Sequence, residues 1–461
     1  MALDSRRAAV VLGGGLTGLS AGYALAQAGV DVAVFEADSG VGGLSKTILR
    51  NGFRFDLGGH RFFTKDEKIE KFVKDLMGDE LLYVNRKSKI YLMEKYFDYP
   101  LKPLNSILGL GLATTIKIVA DYGRERLRTL IKRTESVSLE DWVVSNFGRT
   151  MFNLYFKQYS EKVWGIDCKR ISRDWVAKRI YGLSLGKAIK NALFKFNGKD
   201  LPTLADRFLY PKLGIGRISE RLKEEIERSG AVHTGRRVER ISHDGQRIKS
   251  IGVRNSKESY TVEGDEFISS IPLTNLITAL RPEPPPDVIN AAASLGYRDL
   301  VIAAIMLNRP QVTDQTWIYV PEQKIPFGRI HEPKNWSPHM APEDKTLLVI
   351  EYFCFRGDGT WNAGDDELTE LTVKHLEGLG FIKKEDFAGS IILRVPKAYP
   401  LFEVGYQEHA EKIMDYLRRF KNLQTAGRGG MFQYYNMDHA IRSGMEAAGK
   451  CLARAGAIKT P

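Results

Sequence analysis

The apolar positions of this chain fall into blocks with two different periods. Ala9-Val10-Val11-Leu12 and Val32-Ala33-Val34-Phe35 are short unbroken apolar runs, the pattern of strands buried on both faces. The small and apolar residues between them, opening at Leu16, have the length and composition of a helix. Strand, helix and strand in that order predict a β-α-β unit. Short strands with aromatic content follow at Leu82-Tyr83-Val84 and Lys89-Ile90-Tyr91-Leu92. Residues 104–195 read mainly as helices with polar and basic faces. Strands are expected again at Val232–Arg240, Ile248–Arg254 and Glu266–Ile271, through a strand-rich block from Leu300 to Phe355, and briefly at Ile391–Arg394. Asn422–Arg454 reads as a strand, a glycine-rich turn and a helix, and Pro282–Pro286 as a rigid, exposed connector.

The turn inside the first unit carries the chemistry. Gly13-Gly14-Gly15-Leu16-Thr17-Gly18 delivers a buried strand into a helix N-terminus, where backbone N–H groups face a pyrophosphate. Gly13 allows the turn, Gly15 lets backbone approach phosphate, and Gly18 lets the helix pack on the strand. Glu36 ends the second strand, where a carboxylate accepts hydrogen bonds from an adenosine ribose. Ser39-Gly40-Val41-Gly42-Gly43-Leu44-Ser45 directly after it resembles the second glycine motif of FAD proteins of the glutathione-reductase and amine-oxidase type. FAD is therefore the expected dinucleotide, rather than NAD.

Composition narrows the setting. The 461 residues suffice for two or three domains, and 43% hydrophobic with 27% charged residues is ordinary for a globular protein. Cys168, Cys354 and Cys451 are far apart and form no CxxC, which argues against structural zinc, a dithiol site or a disulfide framework. With the first strand starting near residue 9, no cleavable leader is expected, and a reducing, cytoplasmic location fits. The apolar stretch Ile107–Ala120 is too short to span a bilayer. With the basic run Arg124, Arg126, Arg128, Lys132 and Arg133 after it, two readings stand: contact with an anionic membrane, or a buried helix followed by a solvated charged one. The second is favoured. A formal charge of +12 suits an acidic client, and without a nucleic-acid-binding motif a phosphorylated small molecule is the economical one.

Four further segments point to one family. They are Gly58-Gly59-His60-Arg61-Phe62-Phe63-Thr64; Glu161-Lys162-Val163-Trp164-Gly165 with Trp175 and Arg179; Tyr319 to Arg329; and Gly427-Arg428 through Tyr434-Tyr435-Asn436-Met437-Asp438. Together with the glycine motifs they resemble UDP-galactopyranose mutases over nearly the whole chain. The resemblance implies a redox-neutral ring contraction needing reduced FAD, in which a flavin nitrogen bonds the anomeric carbon while UDP departs and later returns. It implies a nucleotide-sugar substrate, most simply UDP-galactose and UDP-galactofuranose, and a reductant such as NAD(P)H or a reductase. It places His60 at the flavin face and Arg179 and Arg329 on the diphosphate, as the catalytic set. Trp164 would wall the sugar pocket, and Tyr99, Tyr319, Tyr399 and Tyr434 would reach the diphosphate. Gly43, Leu44, Gly59, Val238, Gly427, Arg428, Met437 and Asp438 would join Gly13, Gly15, Leu16, Thr17, Gly18 and Glu36 around FAD. Asn436 stands where the bacterial mutases carry an aspartate, which removes a negative charge beside diphosphate and sugar. The resemblance assigns no metal.

The expected architecture is α/β: a discontinuous Rossmann-like FAD domain (residues 1–75, 205–272 and 391–461), a helical insertion (101–204), and a mixed-sheet substrate domain (76–100 and 273–390). Phe208-Leu209-Tyr210-Pro211 and Gly214-Ile215-Gly216 fall where a uridine pocket would lie, or form a turn beside the middle FAD segment. Each site residue has a structural alternative: core packing for Trp164 and Trp175, ion pairs for the arginines, a loop contact for His60. Two other functions remain open. One is a flavin oxidase or dehydrogenase acting on an amine, a porphyrinogen or a polyene; the other is a flavin-binding scaffold without catalysis, acting through its basic insertion. Whichever holds, the sequence leaves open assembly as an oligomer.

Overall fold

A computed structural model of the chain describes residues 7–99, 111–131, 136–179 and 207–458. The expected mixed α/β fold is present, organised on two large sheets. The first is eight-stranded, in the spatial order 280–281, 237–243, 248–254, 259–269, 7–12, 32–35 and 231–233, with 423–425 pairing beside 259–269. Its centre is parallel: Arg7–Leu12 pairs in parallel with both Val32–Phe35 and Ser259–Ser269. Parallel central strands need apolar cover on both faces. On one face the helices Leu16–Gln27, Arg217–Ile226 and Met437–Ile458 supply it, through Leu19, Leu25, Leu222, Ile226, Ile441 and Ala448.

The second sheet has seven strands in the order 387–400, 297–307, 346–354, 329–331, 317–319, 88–92 and 95–98. Strand Phe387–Pro400 pairs antiparallel along most of Tyr297–Leu307, so residues 391–400 belong to this sheet and not to the first, where they were expected. The sequence pattern shows only Ile391–Arg394 because this is an edge strand. One side is unpaired, and an edge tolerates Pro396, Pro400 and the alternating polar residues. Leu280–Arg281 joins the first sheet instead of the second. Phe208–Pro211 forms part of the strand Arg207–Pro211, which pairs with Leu81–Asn85 in a separate two-stranded ribbon.

The helical insertion differs from expectation in one respect. Leu112–Ile131 is a single continuous helix of 20 residues, not a buried helix followed by a charged one. Ile118 is buried, but Ile116, Val119, Leu127 and Ile131 face outward. Further along, Arg149–Met151, a π-helical turn at Phe152–Lys157 and the helix Gln158–Trp164 run on from one another. The extra residue of a π turn advances the helical phase, and such turns recur at functional sites. Here Tyr155, Phe156, Tyr159, Ser160 and Trp164 all reach one cavity. The parts of the expected insertion at 101–110, 132–135 and 180–204 lie outside the described residues.

Close packing joins the first and last long helices. A Cβ on Gly444 would lie 2.2 Å from the Thr17 carbonyl oxygen, whereas one on Gly449, on the same helix, would meet nothing within 4 Å. Gly444→Ala is expected to cost about 2–3 kcal/mol of stability, while Gly449→Ala gains up to about 1 kcal/mol from helix propensity. Urea unfolding of both variants checks the pair; equal midpoints would refute the packing.

Candidate functional site

One continuous cavity of about 2040 Å³ runs between the two sheets. That is about twice the upper end of the range for a typical single-ligand pocket, ~1,000 Å³. At its first end Gly13, Gly15, Leu16 and Thr17 line the wall, opposed by Gly43 and Leu44. The two glycine loops are docked: Gly42 N–H donates to the Gly14 carbonyl at 2.9 Å, and a Cβ on Gly43 would lie 3.2 Å from the Gly15 Cα. The Glu36 carboxylate accepts from Gly14 N–H at 2.6 Å and Asp38 N–H at 2.8 Å, which fixes its direction toward the cavity. Val238 lines the same end beside Arg236 and Arg237. Gly18 and Gly427 stand one layer behind. A Cβ on Gly18 would fall 1.9 Å from the Gly13 carbonyl oxygen, and one on Gly427 would fall 2.4 Å from Thr17 Oγ1.

The middle of the cavity is flanked by Gly59, His60, Arg428 and Met437. Gly59 must be glycine, because a Cβ there would lie 1.2 Å from the Trp317 ring. Burial, reinforced by Arg428, lowers the His60 imidazole to about 4, so it is neutral at physiological pH. The helix Met437–Ile458 begins here, with Met437 in the wall. Asp438 is turned away: its carboxylate accepts from Thr64 Oγ1 at 2.9 Å and pairs with His439 at 2.9 Å.

The inner end is a chain of alternating aromatic rings and guanidinium groups. Tyr99 packs on Tyr319 at 5.0 Å between ring centroids, and Tyr319 on Tyr159 at 5.6 Å. Arg329 Nε donates to Tyr159 Oη at 2.8 Å and its Nη1 to Tyr399 Oη at 3.2 Å. Arg428 then lies over the Tyr399 ring at 4.6 Å and the Tyr434 ring at 5.0 Å. Trp164 closes this end, edge-on to Tyr399 and Trp175. Asn436 lines the cavity and is exposed. The structure thus brings Arg329, Arg428, Tyr99, Tyr319, Tyr399, Tyr434, Trp164 and Asn436 together. Arg179 ends the helix Arg173–Arg179, and its side chain lies outside the described residues.

Further contributors are given no role by the motifs. Glu351, fully buried, accepts from Arg329 Nη1 at 2.9 Å and from Gly59 N–H at 3.1 Å. Its signal was present: it is the lone charge within the apolar strand Thr346–Cys354, and a buried charge needs a partner. Burial alone would lower the Arg329 pKa, but Tyr159, Tyr399 and Glu351 outweigh it and keep the guanidinium firmly charged. Lys162 Nζ donates to the carbonyls of Val320 at 2.9 Å, Ile325 at 2.8 Å and Phe327 at 3.1 Å, fixing the loop that leads into Arg329. Burial pushes Lys162 down to about 7. Trp317, His331 and Trp336 form a stack behind the Gly59 loop, with Trp317–His331 at 5.4 Å and His331–Trp336 at 5.2 Å.

Burial, with His60 and Arg329 nearby, lowers the His331 imidazole from 6.5 to about 3. A histidine held neutral in the fold stabilises fully above its ordinary pKa, and that contribution is lost as pH falls below it. Asp56, whose buried carboxyl is pushed up to about 7, acts in the opposite sense, so the comparison must be made against a variant. From about pH 7 to about pH 5, wild type should lose about 2 kcal/mol more than His331→Phe, which keeps the stack. Urea unfolding at both pH values checks this; parallel losses would refute a neutral His331.

These features fit FAD. The directed Glu36 carboxylate suits a ribose, the N–H groups at the start of Leu16–Gln27 suit a pyrophosphate, and the wall at Gly59, His60 and Arg428, with no side chain at Gly59, leaves room for a ring system. Comparison with known proteins agrees. Residues 16–452 match the family of flavin containing amine oxidoreductases. Coproporphyrinogen III oxidase of Staphylococcus aureus is 22% identical, covering 97% of this chain and 99% of that protein. Among solved structures, reduced UDP-galactopyranose mutase superposes with a TM-score of 0.82 at 22% identity, covering 98% of this chain and 95% of the other. A putative protoporphyrinogen oxidase from Exiguobacterium sp. 255-15 follows with a TM-score of 0.74 at 16% identity, covering 98% and 100%. The chain belongs to the flavin containing amine oxidoreductase family, and its cofactor is FAD.

Proposed function

We propose that this protein is an isomerase that interconverts the pyranose and furanose forms of a nucleotide sugar, with UDP-galactose as its first candidate substrate. One observation carries the reading: Arg329 and Arg428 flank Tyr399 at the inner end of the cavity, within a set of tyrosines that includes Tyr99, Tyr159, Tyr319 and Tyr434. Two fixed cations among hydroxyl groups suit a diphosphate, whose negative charge grows as its bond to the sugar breaks. Reduced FAD supplies the nucleophile when bound. The protein's part is positional and electrostatic. Arg329, locked by Glu351 and Tyr159, holds its charge without reorganising, and the tyrosine hydroxyls accompany the leaving group. Trp164 walls the sugar side, and neutral His60 borders the flavin slot without adding charge. The resemblance in overall structure to reduced UDP-galactopyranose mutase supports the same reading.

A second reading is favoured by a separate observation. Leu139, Val143, Phe147, Phe156 and Val176 give the cavity a broad apolar wall, and a coproporphyrinogen III oxidase is similar over its whole length. A porphyrinogen oxidase would use that wall for the macrocycle and the arginines for its carboxylates. The reactions separate cleanly, because the isomerase needs reduced flavin and consumes no oxygen.

The protein, reduced with dithionite under anaerobic conditions, is expected to interconvert UDP-galactose and UDP-galactofuranose on chromatography, and to lose this activity when oxidised. Arg329→Lys keeps a charge but not the fork, and should lower turnover about 100-fold with FAD retained. No interconversion, together with oxygen uptake on coproporphyrinogen, would replace the isomerase with the oxidase.

A further inference from the structure

We propose that the helix Leu112–Ile131 docks the protein on an anionic lipid surface, with its axis in the membrane plane and the cavity beside it. An ordinary surface helix turns its apolar stripe inward and its charges outward. This one also turns an apolar stripe outward, between its charges. Ile116 is 60% exposed, Leu127 63% and Ile131 86%, and Val119 is exposed beside them. At about 100° per residue these four fall within about 120° of the circumference, an arc that also holds exposed Ala113, Ala120 and Gly123 among the residues whose side chains are described.

The charges are sorted around that stripe. Exposed Lys117, Arg124 and Arg128 run along one flank and exposed Arg126 along the other. Both acidic residues point to the protein side: Asp121 accepts from Thr150 N–H at 2.6 Å, and Glu125 is partly buried. An apolar strip flanked on both sides by long basic side chains matches the boundary between acyl chains and anionic headgroups, where lysine and arginine extend their charges upward. The overall charge of +12 favours the same partner. No helix among the described residues is long and apolar enough to cross a membrane, so this one lies on it.

The position of the helix gives docking a consequence. Thr115 and Ile118 line the cavity, and Val119 reaches it from the edge of the stripe, so the same element borders lipid on one side and the substrate space on the other. A molecule held in the membrane, or handed to a membrane enzyme, would enter or leave on this side. The proposal is independent of which reaction the cavity carries.

Co-sedimentation with vesicles of phosphatidylcholine, with and without phosphatidylglycerol, tests it using the FAD-loaded full chain. Wild type should bind only the anionic vesicles, and less in high salt. Leu127→Glu with Ile131→Glu, and separately Arg124→Glu with Arg126→Glu, should each weaken binding about 100-fold, with flavin content and unfolding midpoint unchanged. Leu127→Trp should show blue-shifted emission that brominated lipid quenches. Wild type remaining in the supernatant at low salt would overturn the proposal. So would a chain that self-associates through this face, if Leu127→Glu with Ile131→Glu abolishes association but not vesicle binding.

Discussion

The Glu351 carboxylate is the contact on which the two halves of the site depend. It is fully buried in the centre of the second sheet, where an unpaired charge would be costly, and it spends its two oxygens on different partners. One oxygen receives the backbone N–H of Gly59, in the loop that borders the flavin slot. The other receives Arg329, where the inner end of the cavity begins. Because Arg329 also donates to Tyr159 and Tyr399, one carboxylate sets the spacing between flavin loop and cationic pocket. Lys162 and the Trp317–His331–Trp336 stack then brace the two sides, the first by holding the loop before Arg329 and the second by packing under Gly59.

This constraint explains how one family scaffold accommodates different chemistry. The dinucleotide end is built almost wholly from backbone: docked glycine loops, a helix N-terminus and one directed carboxylate. Nothing there distinguishes an oxidase from an isomerase. The inner end is built instead from side chains on five separate segments, where sequence differences within a family can act. A cavity of this size has room for a dinucleotide and a second molecule placed against each other.

How much of this could be read from the sequence follows from how local each determinant is. The opening β-α-β unit is legible because buried parallel strands leave unbroken apolar runs and the turn between them demands glycine. Motif order placed Tyr99, Tyr319, Arg329, Tyr399, Arg428 and Tyr434, and the structure gathers them at one cavity. Strand Phe387–Pro400 was underread, since an edge strand with two prolines carries a weak periodic signal. The helix Leu112–Ile131 was misread because periodicity shows which face is apolar, not whether anything covers it. Glu351 announced itself as a charge inside an apolar strand, but its partners are remote in sequence. Tyr159 gave no signal, since a tyrosine in a helix looks the same whether it packs or binds.

The most direct test of this account is the stability and flavin affinity of Glu351→Ala, alone and combined with Arg329→Met. Removing the carboxylate strands a buried guanidinium and should cost about 3–5 kcal/mol, together with faster FAD release from the loosened Gly59 loop. Removing Arg329 as well should restore most of the stability but not the flavin affinity. If Glu351→Ala unfolds at the same urea concentration as wild type and holds FAD equally well, Glu351 does not join the two halves of the site.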